Sequence, residues 1–493
     1  MPSISTEYKN IKHLFLLVLI IGISLRVAVY LQNRSFFIDE ANLARNIVEK
    51  DYSDFFKTLD YEQYSPPLFS CALKFMTNTF GVNEYSLTFI SLLAGIASLI
   101  LLFLIARLLA IEAIPLLYIL LLYGLSPLAV RYSTELKQYS LDTFLCLLFV
   151  YWTFKNKDRA FDFSYVLQLS IFGTVAIWAS MPLVFVLATM GILFLYRCLL
   201  LQNIKFSYLL LIGGTWLMSF AIYFFTILKS DAGTDYLQNF HSGYFFDLLP
   251  TDVASLSQNY TLLIGLFRGI TDKTTVSLLA AFLFFGIGVY QLLKNKKFEA
   301  CLLLLPFLFC LIASHFTMYS LLTRLTLFLI PMLLLVFGYG FSWSWKHSNK
   351  PLKVMLLSFI LLSLINKKGY EYFWKPLKFE DSKTTLKYLH ENKKENQPIF
   401  VHHSGVPAFV FYNEMHDEAF HLKNYHLGKW NELAGTHIKH EKKLQSGDKF
   451  WLFFSHTEPV ERLNKDFRSV QKVATMTEEK RAIQSIVQCY VME

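Results

Sequence analysis

Paired carboxylates, Asp39-Glu40, follow the aromatic pair Phe36-Phe37 just after the first long apolar run of the chain. Ionisable groups at such a boundary are costly unless paired, solvated or functional. The plain alternative is a solvated helix start, with Asp39 capping a helix over Ala41 to Val48. Next comes Tyr64-Ser65-Pro66-Pro67-Leu68. Tandem proline suits the first turn of a helix, here an amphipathic one lying on a membrane surface with Phe69, Leu73, Phe75 and Met76 buried. A polar block from Arg131 to Asp142 then sets Arg131 and Lys137 among Glu135, Tyr139 and Asp142. Cations there suit an anionic ligand, and a charge-paired turn of Glu135 with Arg131 or Lys137 is the other reading. Arg324 opens a later apolar run at a membrane boundary, where it is either functional or snorkels to lipid phosphates. Arg26 lies inside the first run and must face protein or a polar cavity.

The elements that position these residues are membrane spans. Of 493 residues 54% are hydrophobic and 17% charged, and the mean hydropathy is +0.40, which excludes an ordinary soluble domain. Apolar runs long enough to cross a hydrocarbon core are Leu14 to Leu31, Ser86 to Leu109, Ala113 to Val130, Tyr139 to Phe154, Phe163 to Ala179, Pro182 to Leu200, Phe206 to Leu228, Thr275 to Leu293, Ala300 to Phe316, Leu325 to Trp345 and Pro351 to Ile365. Met181-Pro182 either divides two spans or kinks one. The net charge of +9 has a topological reading rather than a nucleic-acid one. With the N-terminus inside, Lys and Arg gather in the inner loops, and only Arg131, Lys137 and Arg324 lie in short outer ones. Gln32 to Tyr85, Lys229 to Lys273 and everything after Ile365 then share the outer side. The six cysteines form no CxxC pair and read as apolar filler.

Residues 366–493 are long enough for a domain of their own. Asp381-Ser382 predicts a helix start running through Leu386 and Leu389. Pro398 to His402 and Lys449 to Ser455 read as strands, Val406 to Tyr412 as a short helix, Pro459 as a helix opening, and Ser469 to Met476 and Ile483 to Val491 as final strands. No phosphate-binding glycine loop occurs there, and the spacing of its histidines fits no regular metal site. The expected fold class is mainly α: a polytopic membrane helix bundle of about eleven spans over residues 1–365, with a small C-terminal α/β extracytoplasmic domain over 366–493.

The order of Asp39-Glu40, Ser65-Pro66-Pro67-Leu68, Glu135-Leu136-Lys137-Gln138-Tyr139-Ser140-Leu141-Asp142 and Arg324 before Pro331 resembles the GT-C membrane glycosyltransferases. The resemblance is to the branch of protein O-mannosyltransferases and lipid A aminoarabinose transferases, notably bacterial members, from Leu14 to about Trp345. It implies transfer of a sugar from a polyprenyl-phosphate-linked donor, usually with inversion, to a lipid, glycan or protein acceptor on the outer face of a bacterial inner membrane. On that pattern Asp39 is the general base, and Glu40 orients a ligand or binds a cation. Arg324, Lys137 and Arg131 hold the donor phosphate, while Tyr64, Pro66, Pro67, Glu135 and Tyr139 shape the site. Some relatives have Lys or His before the double proline where this chain has Ser65, so no phosphate contact carries over there. A divalent metal serves some relatives and not others, and the nearby Asp60-Tyr61-Glu62 leaves metal use open. The alternatives are a glycan ligase or polymerase with a diphosphate-linked donor, and a multi-span transporter or flippase. Transporters place their sites near the membrane midplane, whereas these polar residues crowd one boundary.

Overall fold

The computed structural model describes residues 11–202, 204–232, 235–271, 274–429, 444–457 and 460–493. Each of the eleven apolar runs is helical: Lys12–Leu31, Glu84–Leu108, Ala113–Gly124 continued by Pro127–Tyr132, Tyr139–Lys155, Phe163–Ile177, Leu183–Leu199, Phe206–Tyr223 extended by a π-turn to Leu228, Thr275–Asn295, Lys297–His315, Leu329–His347 and Lys350–Lys367. Five of these are long and apolar enough to cross a membrane on those criteria alone, and three more are apolar but shorter. The third run breaks after Gly124, where Ser126 caps the short helix that Pro127 opens. Residues 178–182 separate two helices, and Met181 and Pro182 reach the same cavity as Tyr139 and Leu228. Successive helices therefore alternate in direction through this region, with Met181-Pro182 as the turn between two of them.

Close packing holds the bundle together. A Cβ on Gly340 would stand 1.9 Å from the Phe284 carbonyl oxygen, and one on Gly288 would stand 2.0 Å from that of Val336. Thr275–Asn295 and Leu329–His347 thus meet backbone to backbone, a contact only small residues permit. Arg26 is fully buried, and its guanidinium donates to the carbonyls of Gly22 at 2.9 Å and Gly124 at 3.0 Å. The positive charge sits where the helix Ala113–Gly124 leaves its last carbonyls unpaired.

The segments at the cavity end carry further helices. Ile38–Glu49 begins one residue before Asp39, so Phe37 is the cap position and Asp39 lies in the first turn. Pro66-Pro67 opens Pro67–Phe80 as expected; Phe69 and Leu73 are buried, but Phe75 is 55% exposed. The stretch between Lys229 and Lys273 carries the amphipathic helix Val253–Ile270, with Val253, Leu256 and Tyr260 outward and Leu266, Phe267 and Ile270 buried.

Beyond Lys367 the chain forms a five-stranded sheet: β1 (Ile399–Val401), β2 (Tyr425–Leu427), β3 (Lys449–Ser455), β4 (Ala474–Ala482) and β5 (Ser485–Met492), in the order β2-β1-β3-β5-β4. β1 is parallel to β2 and β3, and β5 is antiparallel to β3 and β4. Helices Ser382–Asn392 and Val406–Val410 match expectation; Pro459 lies outside the described residues, and Ser469 ends the helix Val460–Val470 rather than starting a strand. One face of the sheet, with Ile399, Val401, Trp451 and Phe453, joins the same core as Ala41, Leu43 and Ile47 of Ile38–Glu49 and Phe69 and Leu73 of Pro67–Phe80. The α/β part and the helix that carries Asp39 are packed on one another.

Candidate functional site

Where the helix ends meet the α/β part, a cavity of about 1150 Å³ opens. Asp39 and Asn42 reach it from Ile38–Glu49, Tyr64 and Pro66 from the following loop, and Lys137, Tyr139 and Asp142 from the polar block. Arg324 enters from the segment before Leu329–His347, and His402, His403, Ser404 and His456 line the wall supplied by the α/β part. Residues from widely separated stretches of sequence thus converge on one space.

At its centre Asp39 and Arg324 form an ion pair, Nη1 to Oδ2 3.3 Å, with 36% and 28% of their side chains exposed. Lys137 is buried and donates to Gln63 Oε1 at 2.7 Å. Burial lowers its pKa, and the nearby Asp39 charge opposes that shift. The Tyr64 hydroxyl bonds to that of Tyr223, and the Tyr139 ring meets the Tyr132 ring edge-on at 5.1 Å. Asp142 and Gln138 line the cavity although almost wholly buried, and Asp142 Oδ1 and Gln138 Oε1 accept no hydrogen bond within the described residues. Buried acceptors of this kind are unfavourable unless a ligand or water meets them.

Four expected site residues lie elsewhere. Glu40 is 2% exposed and does not line the cavity: it takes both terminal nitrogens of Arg34, at 2.7 and 2.8 Å, and the amides of Phe37 at 3.0 Å and Leu136 at 2.8 Å. With every acceptor position used, it has none left to orient a ligand or bind a cation. Arg131 is held at 2.5 Å by Glu135 and stacks over Phe379 at 4.0 Å, so neither Arg131 nor Glu135 reaches the cavity. Burial, then the Glu40 charge, raises the pKa of Glu135. Pro67 is buried in the first turn of its helix, and of the two prolines only Pro66 lines the cavity.

Arg34 carries no signal in the sequence beyond its charge, and His402-His403 and His456, some fifty residues apart, share a cavity wall that no local pattern announces. Asp60 pairs with Lys50 at 2.8 Å and lies outside the cavity wall, while Glu62 lines it. Among the described residues no group of three His, Cys, Asp or Glu side chains converges to hold a metal ion.

No family model matches the chain, and no curated protein is significantly similar to it in sequence. Solved structures do match. ArnT from Cupriavidus metallidurans in the apo state is similar at 12% identity with a TM-score of 0.53, over 98% of each chain. ArnT from the same organism bound to undecaprenyl phosphate is similar at 11% identity with a TM-score of 0.52, again over 98% of each chain. From its first described helix to its last strand, this chain shares the fold of ArnT.

Proposed function

We propose that the protein transfers a sugar from a polyprenyl-monophosphate carrier to a hydroxyl acceptor at the outer face of a bacterial inner membrane, with Asp39 as general base. The observation that carries this reading is the Asp39–Arg324 pair, open to a cavity at the ends of the membrane helices with Lys137 beside it. A lipid-linked sugar needs its anomeric carbon at such a boundary. ArnT, the protein of like fold, has been seen with undecaprenyl phosphate, which supports a polyprenyl carrier here.

In the reaction the acceptor oxygen attacks the anomeric carbon from the face opposite the phosphate, inverting it. The bond from that carbon to the phosphate oxygen breaks, its electron pair leaves with the polyprenyl phosphate, and the acceptor proton passes to Asp39. The leaving group is already an anion, so it needs cations rather than an acid. Arg324 supplies a fork for two phosphate oxygens and Lys137 a point charge. In the free enzyme Arg324 occupies Asp39. Phosphate drawing the guanidinium away would free the carboxylate as a base. The histidine wall of the α/β part then faces the acceptor, and a divalent ion is not required by this scheme. The position of the cavity at the helix ends also favours surface catalysis over transport.

The test uses purified protein in liposomes with polyprenyl-monophosphate sugars and extracts of envelope lipids and glycans as acceptors. Acceptor-dependent release of free polyprenyl phosphate, with the sugar on a new product, is expected. Movement of the donor across the bilayer without any transfer would replace this reading with a flippase.

A further inference from the structure

Glu40, removed from the ligand-contacting residues by its burial, sits at a junction that the chemistry needs. Its Oε2 accepts from Arg34 Nη1 and the Phe37 amide, and its Oε1 from Arg34 Nη2 and the Leu136 amide. Asp39 immediately precedes Glu40 in the chain, and Lys137 immediately follows Leu136. One carboxylate therefore ties the turn that presents Asp39 to the loop that presents Lys137. Arg34 closes the assembly from the segment between the first membrane helix and Ile38–Glu49, and its Nη2 also approaches the Thr134 carbonyl at 3.5 Å.

We infer that Glu40 and Arg34 form a positioning clamp that sets the distance between the proton acceptor Asp39 and the phosphate-facing Lys137. The inference rests on the proposed roles of those two residues. It assigns Arg34 and Glu40 no contact with substrate. Glutamate suits the task because only a carboxylate offers two oxygens to a bidentate guanidinium and still accepts two backbone amides. Glutamine has one oxygen, so it must abandon either the Leu136 amide or the Phe37 amide, and it turns an N–H group toward a donor. Lysine in place of Arg34 keeps the charge but loses the fork. Two reacting groups displaced by about 1 Å lose on the order of 100-fold in rate even when both remain chemically intact.

The experiment measures sugar transfer and backbone amide exchange in the full chain for Glu40→Gln and Arg34→Lys. Expected are a fall in kcat of about tenfold or more with a much smaller change in the donor KM, and faster exchange confined to residues 134–138 and 36–40, with β3 as protected as in the parent. Unchanged exchange in those segments, or unchanged kcat in a folded Glu40→Gln protein, would overturn the clamp. Acceleration spread evenly over the α/β part and the bundle would overturn it too, by making the pair a general prop. Amide exchange does not depend on the reaction. Loosening of 134–138 in Glu40→Gln together with normal turnover in Asp39→Asn would therefore sink the catalytic reading and leave the tie between the two segments standing.

Discussion

At the scale of single residues, two neighbouring carboxylates have parted company. Asp39 faces the cavity and shares Arg324, whereas Glu40 is sealed beneath it by Arg34 and two amides. The sequence places both at the ligand, since which of two adjacent residues faces the cavity depends on which way the first turn of the helix faces. Arg324 was legible through its position before an apolar run, and Lys137 through its place on the side where cations are scarce. Arg131 gave the same signal, yet Glu135 and Phe379 engage it away from the cavity. Phosphate recognition by Arg324 leads to a specific expectation. Arg324→Ala should lower donor-dependent transfer by about 10²-fold or more, and Arg324→Lys should recover little of it, since an ammonium does not reproduce the fork. Transfer assays on both variants decide this: nearly full activity in Arg324→Lys would leave only a headgroup-snorkelling arginine.

At the scale of elements, every apolar run became a helix, because twenty apolar residues have no other way to satisfy their backbone in a bilayer. The helix Val253–Ile270 escaped notice because its polar face diluted the apolar signal below that of a span. β2 is three residues long and offered no alternating pattern of useful length. The α/β part also meets the first turn of Ile38–Glu49 through Glu380, a contact between distant residues that no local pattern announces. Glu380 is 1% exposed, and burial pushes its carboxyl up to about 7 against hydrogen bonds from Ser455 and Ser382; the Glu40 charge adds to the rise. In the unfolded chain the same carboxyl titrates near 4.5. Between those values the folded protein keeps a proton that the unfolded chain has released. Stability from this group is therefore full below pH 4.5 and lost as pH rises through 7, by on the order of 3 kcal/mol. Thermal unfolding in detergent across that range should show the loss in the parent and not in Glu380→Gln. Parallel curves for the two proteins would mean that the carboxyl titrates normally.

On the scale of the whole molecule, the alternation of helix direction puts the cavity and the α/β part at one end, and the loops that carry Lys155, Lys157 and Lys350 at the other. The charge count alone was enough to suggest this, while the convergence of distant stretches on one cavity was beyond any local reading of the chain. A reporter fused after Glu493 should behave as periplasmic, and activity of a cytoplasm-only reporter there would reverse the orientation. In the proposed reaction this fold serves sugar transfer with Asp39 as the base. The direct measurement is transfer from a polyprenyl-monophosphate sugar by purified Asp39→Asn, with donor binding measured on the same folded sample. Asparagine keeps the shape and loses the proton acceptor, so turnover should fall by about 10²-fold or more while the donor still binds. Near-normal transfer by Asp39→Asn would contradict the account.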